Sequence, residues 1–253
     1  PPPQQFRRTE LRDEVQEVQY IKDACEYYKD RWDENNAKPW TVVVPVMFHG
    51  VRKQGAEVQD NMTVTYDYFN QSMQHAHQLG FETITMQQLI DFLKHNAPIP
   101  ERSLLLIMDD RRLGTFNQHF LPYLQEFNWT MSFSYITGVA NEYEWSQIKA
   151  ALETGHAELQ AHGFLHNGQT YVTEFTPEET IRDEIQKPIA AFEEHGVPRP
   201  IAFIWPGGNY NEFSVQTAQQ SGYELGFTVH SRGPIMFNSI PQGDQEIDRK
   251  SVV

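Results

Sequence analysis

The sequence contains a single cysteine, Cys25, among its 253 residues. One cysteine excludes an internal disulfide and a metal site built from several thiolates. Cys25 lies on an apolar helical stripe, so we interpret it as a packing residue. Long apolar runs are also missing, since none approaches the about 18 residues that a membrane-spanning helix needs. No signal peptide is visible, but the opening "PPPQQ" resembles a spacer, so this absence does not indicate a cytoplasmic protein.

Basic residues are few: 20 Lys and Arg stand against 34 Asp and Glu, and the formal net charge is −14. A nucleic-acid-binding surface requires a basic patch. We therefore expect no nucleic-acid partner and no attraction to an anionic membrane surface. A neutral or cationic polymer is easier to accommodate, although acidity by itself chiefly favours solubility. The composition gives no prediction of the oligomeric state.

Residues 10–34 carry apolar side chains at spacings of three and four, which predicts an amphipathic helix. We therefore divide the chain into residues 1–40, a spacer with an N-terminal helix, and residues 41–253, one larger domain. The helix is expected to pack against that domain, and binding of a partner is the alternative.

Beyond residue 40, short apolar runs alternate with helical patterns. The predicted strands are 41–48, 81–85, 103–108, 131–137, 157–161, 201–205 and 225–229. This alternation predicts an α/β fold with a parallel sheet covered by helices. Its length favours a closed or nearly closed barrel, and an open doubly wound sheet is the alternative. No G-x-G-x-x-G or P-loop pattern follows a strand, which disfavours nucleotide-binding versions of that alternative.

Polar residues and glycines follow several of these strands at their carboxyl ends. Catalytic groups of parallel barrels gather at this end of the sheet. We therefore expect one shared rim to hold His49, Asp109 with Asp110, His162 with His166, Pro206-Gly207-Gly208, and His230.

Asp110, His162 and His166 form a candidate metal site. Two imidazoles and one carboxylate suit zinc and leave a position open for water, and ferrous iron or cobalt are alternatives. Asp109 is then free to take a proton from that water. Taken singly, an aspartate pair is usually a cap or a turn, and a histidine is often a core residue. Their joint occurrence at strand ends favours the metal site.

Several segments, in the same order, resemble the polysaccharide deacetylase family, the NodB-homology domains of carbohydrate esterase family 4. "VPVMFHGV" resembles the opening strand of that family, "SLLLIMDD" resembles the run into its T-F-D-D-G motif, and "HGFLH" resembles its H-[ST]-x-x-H motif. "FIWPGGNYN" is similar to the Pro-Tyr-Gly segment, with Gly207 in the tyrosine place, and "SGYELGFTV" is similar to a late strand. The resemblance covers about residues 42–253.

The resemblance implies a distorted (β/α)7 barrel of the NodB type and metal-dependent removal of acetyl groups, most often N-acetyl groups, from a glycan. It implies Asp109 as general base for a metal-activated water. It also implies Asp110, His162 and His166 as ligands of one divalent ion, zinc first and cobalt as an alternative. The backbone N–H near Gly207 matches the oxyanion donor. The expected location is extracellular or attached to the cell surface.

Three features depart from the family pattern. Arg111 replaces the glycine after the aspartate pair, and we expect it to force or adopt an unusual backbone. Together with Arg112 it is expected to lower the pKa of Asp109 or, alternatively, to bind a carboxylate of an acidic glycan. The arginine of the Pro-Tyr-Gly segment is missing, near Phe203 or Ile204. The histidine that protonates the leaving group has no firm match, and His230 and His49 are the two candidates.

Aromatic side chains are expected near the rim, where their faces stack on sugars. We select Trp205 first and Tyr210 second as substrate-contacting residues, with Trp145 and Tyr171 nearby. Two other functions stay open: a catalytically silent glycan-binding homologue, which the departures motivate, and a deacylase of O-acetyl or non-sugar amide substrates.

Overall fold

The structure, a computed structural model, describes residues 35–38, 40–57, 60, 62–167, 170–229 and 236–237. The predicted N-terminal helix with Cys25, and His230 at the end of the last predicted strand, lie outside the described residues. The division of the chain near residue 40 therefore stays a prediction.

Parallel strands and helices alternate along the chain, as predicted. The strands are β1 (Val42–Phe48), β2 (Gly50–Val51), β3 (Thr63–Val64), β4 (Glu82–Thr83), β5 (Arg102–Met108), β6 (Met131–Tyr135), β7 (Ala157–Ala161), β8 (Ala202–Ile204), β9 (Leu225–Phe227) and β10 (Met236–Phe237). The helices are α1 (Tyr66–Gln78), α2 (Met86–His95), α3 (Leu121–Phe127), α4 (Glu142–Glu153), α5 (Glu178–Glu194) and α6 (Glu212–Gln220).

The main sheet runs in the order β10-β1-β5-β6-β7-β8-β9, and β4 also pairs with β5. All of its pairings are parallel except that of β10 with β1. The seven parallel strands are the seven that the sequence predicts. Within the part of the chain that the structure describes, β9 does not pair with β10, so the sheet is a curled half-barrel. The expectation of a distorted barrel is confirmed.

Helix starts follow the capping signals of the sequence in most places. Thr85 and Gln88 form a capping box at the start of α2, and Asn141 and Glu144 form a second box at α4. Pro177 is the N-cap of α5, and the hydroxyl of the preceding Thr176 donates to the carbonyl of Tyr171. A helical turn at Leu113–Thr115 and a π-helical turn at Phe116–Phe120 precede α3, whose first turn contains Pro122.

The core lies on both faces of the sheet, because alternate residues of each strand point to opposite sides. Leu104 and Leu106 of β5 pack with the cluster that includes α1, α3 and α4. Leu105 and Ile107 pack with α2. A third cluster joins α5 and α6 to β7 and β8. None of the described helices has the length and apolar character needed to cross a bilayer.

Candidate metal centre and active site

A cavity of about 440 Å³ opens at the carboxyl ends of the parallel strands. It is lined by the predicted rim residues His49, Asp109, Asp110, His162, His166 and Gly207. Apolar side chains that include Ile107, Ile204 and Phe227 also line it. The strand-end residues that lie far apart in the sequence therefore meet in one place.

The pairing of β1 with β5 sets His49 beside Asp109. The two strands are in register from Val42 opposite Arg102 to Phe48 opposite Met108. The register continues one residue further, because the N–H of Asp109 donates to the carbonyl of Phe48 at 2.9 Å. His49 Nε2 lies 4.0 Å from Asp109 Oδ2.

Asp110, His162 and His166 offer one ligand atom each, and these atoms lie within 4.8 Å of one another. Asp110 Oδ1 is 3.8 Å from His162 Nε2 and 3.9 Å from His166 Nε2. The two rings are 4.4 Å apart between centroids. The structure thus brings together the three residues that the sequence predicts as metal ligands.

The surroundings of His162 fit a metal ligand. Its Nδ1 lies 2.8 Å from the carbonyl of Ile204, which accepts the ring N–H and leaves the Nε2 lone pair facing Asp110. Burial lowers the pKa of His162, and the neutral imidazole is the form that binds metals. The donor set Asp, His, His suits zinc, and it also accommodates cobalt or ferrous iron.

His166 is placed by a residue that the sequence analysis missed, the buried Glu184 of α5. Its carboxylate accepts the backbone N–H groups of Phe164, Leu165 and His166 at 3.0, 2.8 and 3.1 Å. Three donors on one carboxylate fix the loop that carries the second histidine, which is left-handed with φ 45°. One feature of the sequence could have identified Glu184: it follows Ile181 by three positions, a spacing that places an acidic side chain on the buried face of α5.

Asp109 is almost fully buried, with 3 % of its surface exposed. Ser134 of β6 donates its hydroxyl to Asp109 Oδ1. Burial raises the pKa of Asp109 to about 6 against the opposing effects of Ser134 and His49. The expectation that Arg111 lowers this pKa is therefore wrong, because the loss of hydration outweighs the favourable neighbours.

Arg111 lies outside the main cavity. Its guanidinium pairs with Glu144 of α4, with Nε 2.8 Å from Oε1. Arg111 lines a more open pocket beside Asp110 and His166, and its contact with substrate stays a prediction. The unusual backbone falls one residue earlier, since Asp110 has φ 66° and adopts the left-handed conformation. Arg112 is the neighbouring cation closer to the metal residues, with Nη2 3.6 Å from Asp110 Oδ2.

The Pro206–Gly208 segment forms a 3₁₀ turn at the cavity wall, and Gly207 has φ 62°. A Cβ at Gly207 would lie 3.2 Å from the ring of Tyr171. The ring of Tyr171 also meets His166 edge to face, with centroids 5.2 Å apart, and it lines the cavity. Tyr171, which the sequence places near the rim, therefore lies in the wall of the cavity beside the second histidine.

The sugar-stacking role of Trp205 stays a prediction, and the low exposure of the ring does not favour it. Trp205 lines the cavity but is only 1 % exposed, because it points with Phe203 into the cluster under α5 and α6. Tyr210 packs on the same cluster and does not line the cavity. Trp145 is buried and stacks on His195.

The family comparison agrees with this geometry. The family model described as polysaccharide deacetylase matches residues 96–226, which include Asp109, Asp110, His162 and His166. The chain belongs to the polysaccharide deacetylase family. The match runs from before β5 into β9 and includes the predicted rim residues that line the cavity, except His49.

Other family members are similar over most of this chain. The poly-β-1,6-N-acetyl-D-glucosamine N-deacetylases of two Escherichia coli strains are 21 % identical, over 77 % of this chain and 35 % of theirs. This chain thus spans about a third of the length of the curated relatives that it matches.

Solved structures of deacetylases share the fold. Deacetylase PplD from Streptococcus pyogenes, solved in complex with acetate, superimposes with a TM-score of 0.67 at 20 % identity, over 79 % of this chain and 89 % of that one. IcaB from Ammonifex degensii gives a TM-score of 0.66 at 20 % identity, over 85 % and 91 %. At such identities the likeness concerns the curled sheet and its helices.

Proposed function

We propose that this chain is a metal-dependent N-deacetylase of an acetylated glycan. The observation that carries the proposal is the convergence of Asp109, Asp110, His162 and His166 on one cavity. The names of the Escherichia coli relatives support a polymer of N-acetylglucosamine as the substrate class. A polymeric glycan also fits the proposed location outside the cell or on its surface.

Asp110, His162 and His166 would hold one divalent ion, with zinc as the first choice. Such an ion, when bound, makes water more acidic and polarises the acetyl carbonyl. The protein contributes the orientation of the ligands: the Ile204 carbonyl fixes the ring of His162, and Glu184 fixes the loop of His166. Both supports act before substrate arrives, which is how a site is preorganised.

Asp109 is the proposed general base. With a pKa of about 6 it is mostly ionised at neutral pH and still basic enough to accept a proton from the attacking water. The hydroxyl of Ser134 holds the carboxylate in one orientation toward the cavity.

His49 is the proposed group that returns a proton to the leaving amine. Its ring lines the cavity 4.0 Å from Asp109, so a proton taken up by the carboxylate has a short route to it. Burial lowers the pKa of His49, which makes it a ready donor once protonated. His230 is the other candidate and lies outside the described residues.

The cavity wall suits the remaining parts of an acetamide. The backbone N–H of Gly207 is the proposed donor to the oxyanion, at the turn that lines the site. Ile107, Ile204 and Phe227 provide an apolar surface for the acetyl methyl group. Tyr171 at the rim offers an aromatic face to the sugar ring.

Acetate release tests the proposal. The metal-free protein is incubated with β-1,6-linked and β-1,4-linked N-acetylglucosamine oligomers, with and without added Zn²⁺ or Co²⁺. We expect release only with metal, increasing with oligomer length, and abolished in His162→Ala together with bound metal.

Parallel substrates separate the alternatives. Release from acetyl-xylan without release from the amide oligomers would replace the N-deacetylase with an O-deacylase. Activity on short amides that ignores chain length would indicate a non-sugar substrate. Tight binding of the oligomers without any acetate release would identify a catalytically silent glycan-binding homologue.

A further inference from the structure

An ion pair outside the cavity ties the loop that carries Asp110 to helix α4. Arg111 donates from Nε and Nη2 to Glu144 Oε1 at 2.8 and 2.6 Å, and from Nη2 also to Glu144 Oε2. Contacts from two nitrogens to two oxygens fix the direction of a guanidinium as well as its distance. The residue that follows Asp110 therefore has one defined position.

Glu144 is itself held by groups on two other elements. Tyr135, the buried last residue of β6, donates its hydroxyl to Oε1 at 3.0 Å. The backbone N–H of Asn141 donates to Oε2, and the N–H of Glu144 donates to the Asn141 side chain, both at 3.0 Å. The carboxylate thus belongs to the capping box of α4 and is a rigid anchor for Arg111.

Asp110 needs an anchor because its backbone is left-handed, with φ 66°. Residues with a Cβ adopt this conformation at a conformational cost, and it persists where the surroundings enforce it. The turn has a purpose in the site. Neighbouring residues of an extended strand face opposite sides, whereas Asp109 and Asp110 both line the cavity.

The neighbouring arginine does not provide the same restraint. Arg112 makes one ion-pair contact, at 3.6 Å, with the carboxylate of Asp110 itself. Among the described residues, the ion pair of Arg112 involves one carboxylate oxygen, and that oxygen belongs to the turn itself and not to a helix. The backbone carbonyl of Arg112 accepts the N–H of Phe116 at 3.0 Å, but among the side chains of the two arginines it is that of Arg111 that ties the turn to α4.

We propose that Arg111 is a positioning residue, whose ion pair with Glu144 holds Asp110 in the turn that directs its carboxylate toward His162 and His166. This inference rests on the proposed function, because it assigns Arg111 a part in the metal site of that function.

Zinc affinity, measured without substrate, tests the inference. Arg111→Lys keeps the positive charge but loses the paired contacts of two nitrogens with the Glu144 carboxylate. Glu144→Gln keeps the shape of the side chain but loses its negative charge. We expect each variant to raise the Zn²⁺ dissociation constant at least about tenfold in a chelator competition, as changes in groups that orient metal ligands commonly do. The double variant should be no weaker than the weaker single one, because both remove the same contact.

A matched control is Arg182→Lys, the same change at an exposed arginine that pairs with Glu178 on α5. Its zinc affinity should equal that of the wild type. The melting temperature of the metal-free Arg111→Lys protein should stay close to the wild-type value, because the pair is partly exposed. A purely structural role would instead lower the melting temperature and leave the affinity unchanged.

The outcomes separate the two proposals. Unchanged zinc affinity in both Arg111→Lys and Glu144→Gln, with normal binding in the wild type, overturns the positioning role alone. Wild-type protein that binds Zn²⁺ but releases no acetate overturns the proposed function and leaves the affinity comparison valid. Wild-type protein that binds no Zn²⁺ overturns both.

Discussion

Strand β6 donates a serine hydroxyl to a carboxylate at each of its ends, and the surroundings of the two carboxylates differ. Toward the amino end, Ser132 donates to Glu158 of β7. Toward the carboxyl end, Ser134 donates to Asp109. The two serines are two residues apart, so they point to the same face of the strand. Burial raises the pKa of both carboxyl groups.

The second partner distinguishes the two ends. Glu158 also accepts the N–H of Met86 at 2.8 Å, at the first turn of α2, so it joins a strand to a helix start. Asp109 faces His49 and the cavity. A carboxylate that accepts a serine hydroxyl therefore occurs in two settings. At Glu158 it contacts the start of a helix, and at Asp109 it faces the cavity, where it is the proposed base.

The largest effect is expected for Asp109→Asn, which removes the proton acceptor and keeps the shape. Acetate release should fall by about 10²–10⁴-fold, the usual contribution of a positioned base. The measurement is the initial rate on N-acetylglucosamine oligomers at saturating zinc. Glu158→Gln, the matching change at the other end of β6, should release acetate at the wild-type rate. Equal losses in the two variants would remove the distinction between the ends.

Glu184→Ala adds a third buried carboxylate to this comparison. Glu184 lies beside the site, and among the described residues its hydrogen bonds there are with backbone N–H groups. Its removal leaves three donors without their acceptor and should cost about 3–5 kcal/mol of unfolding free energy. Zinc affinity should also fall, since the loop of His166 loses its support. Urea unfolding and chelator competition measure the two effects.

Glu184→Gln is the control for that change, because its amide oxygen still accepts. It should recover a substantial part of both the stability and the zinc affinity. If the alanine variant unfolds in the same urea concentration as the wild type, the carboxylate does not hold the loop.

The pH dependence of stability offers a third test, in metal-free protein. The pKa of Asp109 is raised from 3.8 in the unfolded chain to about 6, so the folded state holds its proton more tightly. Stability from this group is present at low pH and is lost as the pH rises through about 6. Asn cannot ionise, so Asp109→Asn should gain about 2–3 kcal/mol over the wild type between about pH 4 and about pH 7.

Urea unfolding at a series of pH values measures that gain. A constant difference between the two proteins across the series would show that Asp109 titrates in the folded state as it does in the unfolded chain.

The smallest effect is expected for Glu158→Gln. Burial raises the pKa of Glu158 as well. The stability of the wild type should therefore fall relative to that of Glu158→Gln as the pH rises, in the same direction as for Asp109. The gain should be modest, because Glu158 is partly exposed to solvent. The glutamine oxygen keeps the contacts with Met86 and Ser132, so lost hydrogen bonds should not mask it. Thermal melts at low and neutral pH detect it, and a variant that loses stability at neutral pH would contradict it.

The sequence predicts the sheet and the cluster of site residues well for one physical reason. In a parallel α/β fold all strands end at the same edge, so the residue after each strand has a predictable neighbourhood. His49, Asp109, Asp110, His162 and Gly207 are all reached by that rule and all line the cavity.

The sequence predicts long-range supports poorly. The spacing of Glu184 from Ile181 indicates that it lies on the buried face of α5, but it does not indicate that the carboxylate contacts the loop of His166. The pair of Arg111 with Glu144 joins residues 33 positions apart, on different elements. Such contacts depend on how a helix docks, which local patterns do not specify.

The low exposure of Trp205 has a different cause. The strand pattern places Phe203 and Trp205 on one face, because side chains alternate. That face is the one that α5 and α6 cover. Alternation alone would have turned Trp205 away from substrate, whereas its closeness to the Pro-Gly-Gly turn suggested the rim.

Gly163 lies between His162 and His166, and the space for a side chain at this position depends on Glu184. The φ of Gly163 is 78°, and a Cβ there would lie 2.7 Å from Glu184 Oε2 and 3.1 Å from Pro206. The loop support and the absent side chain occupy one volume, so the two positions are epistatic. A saturation library at residue 163 will return little but glycine, because the left-handed backbone strains every other residue there. Randomising residue 184 in the same library removes the steric part of this constraint and leaves the backbone part.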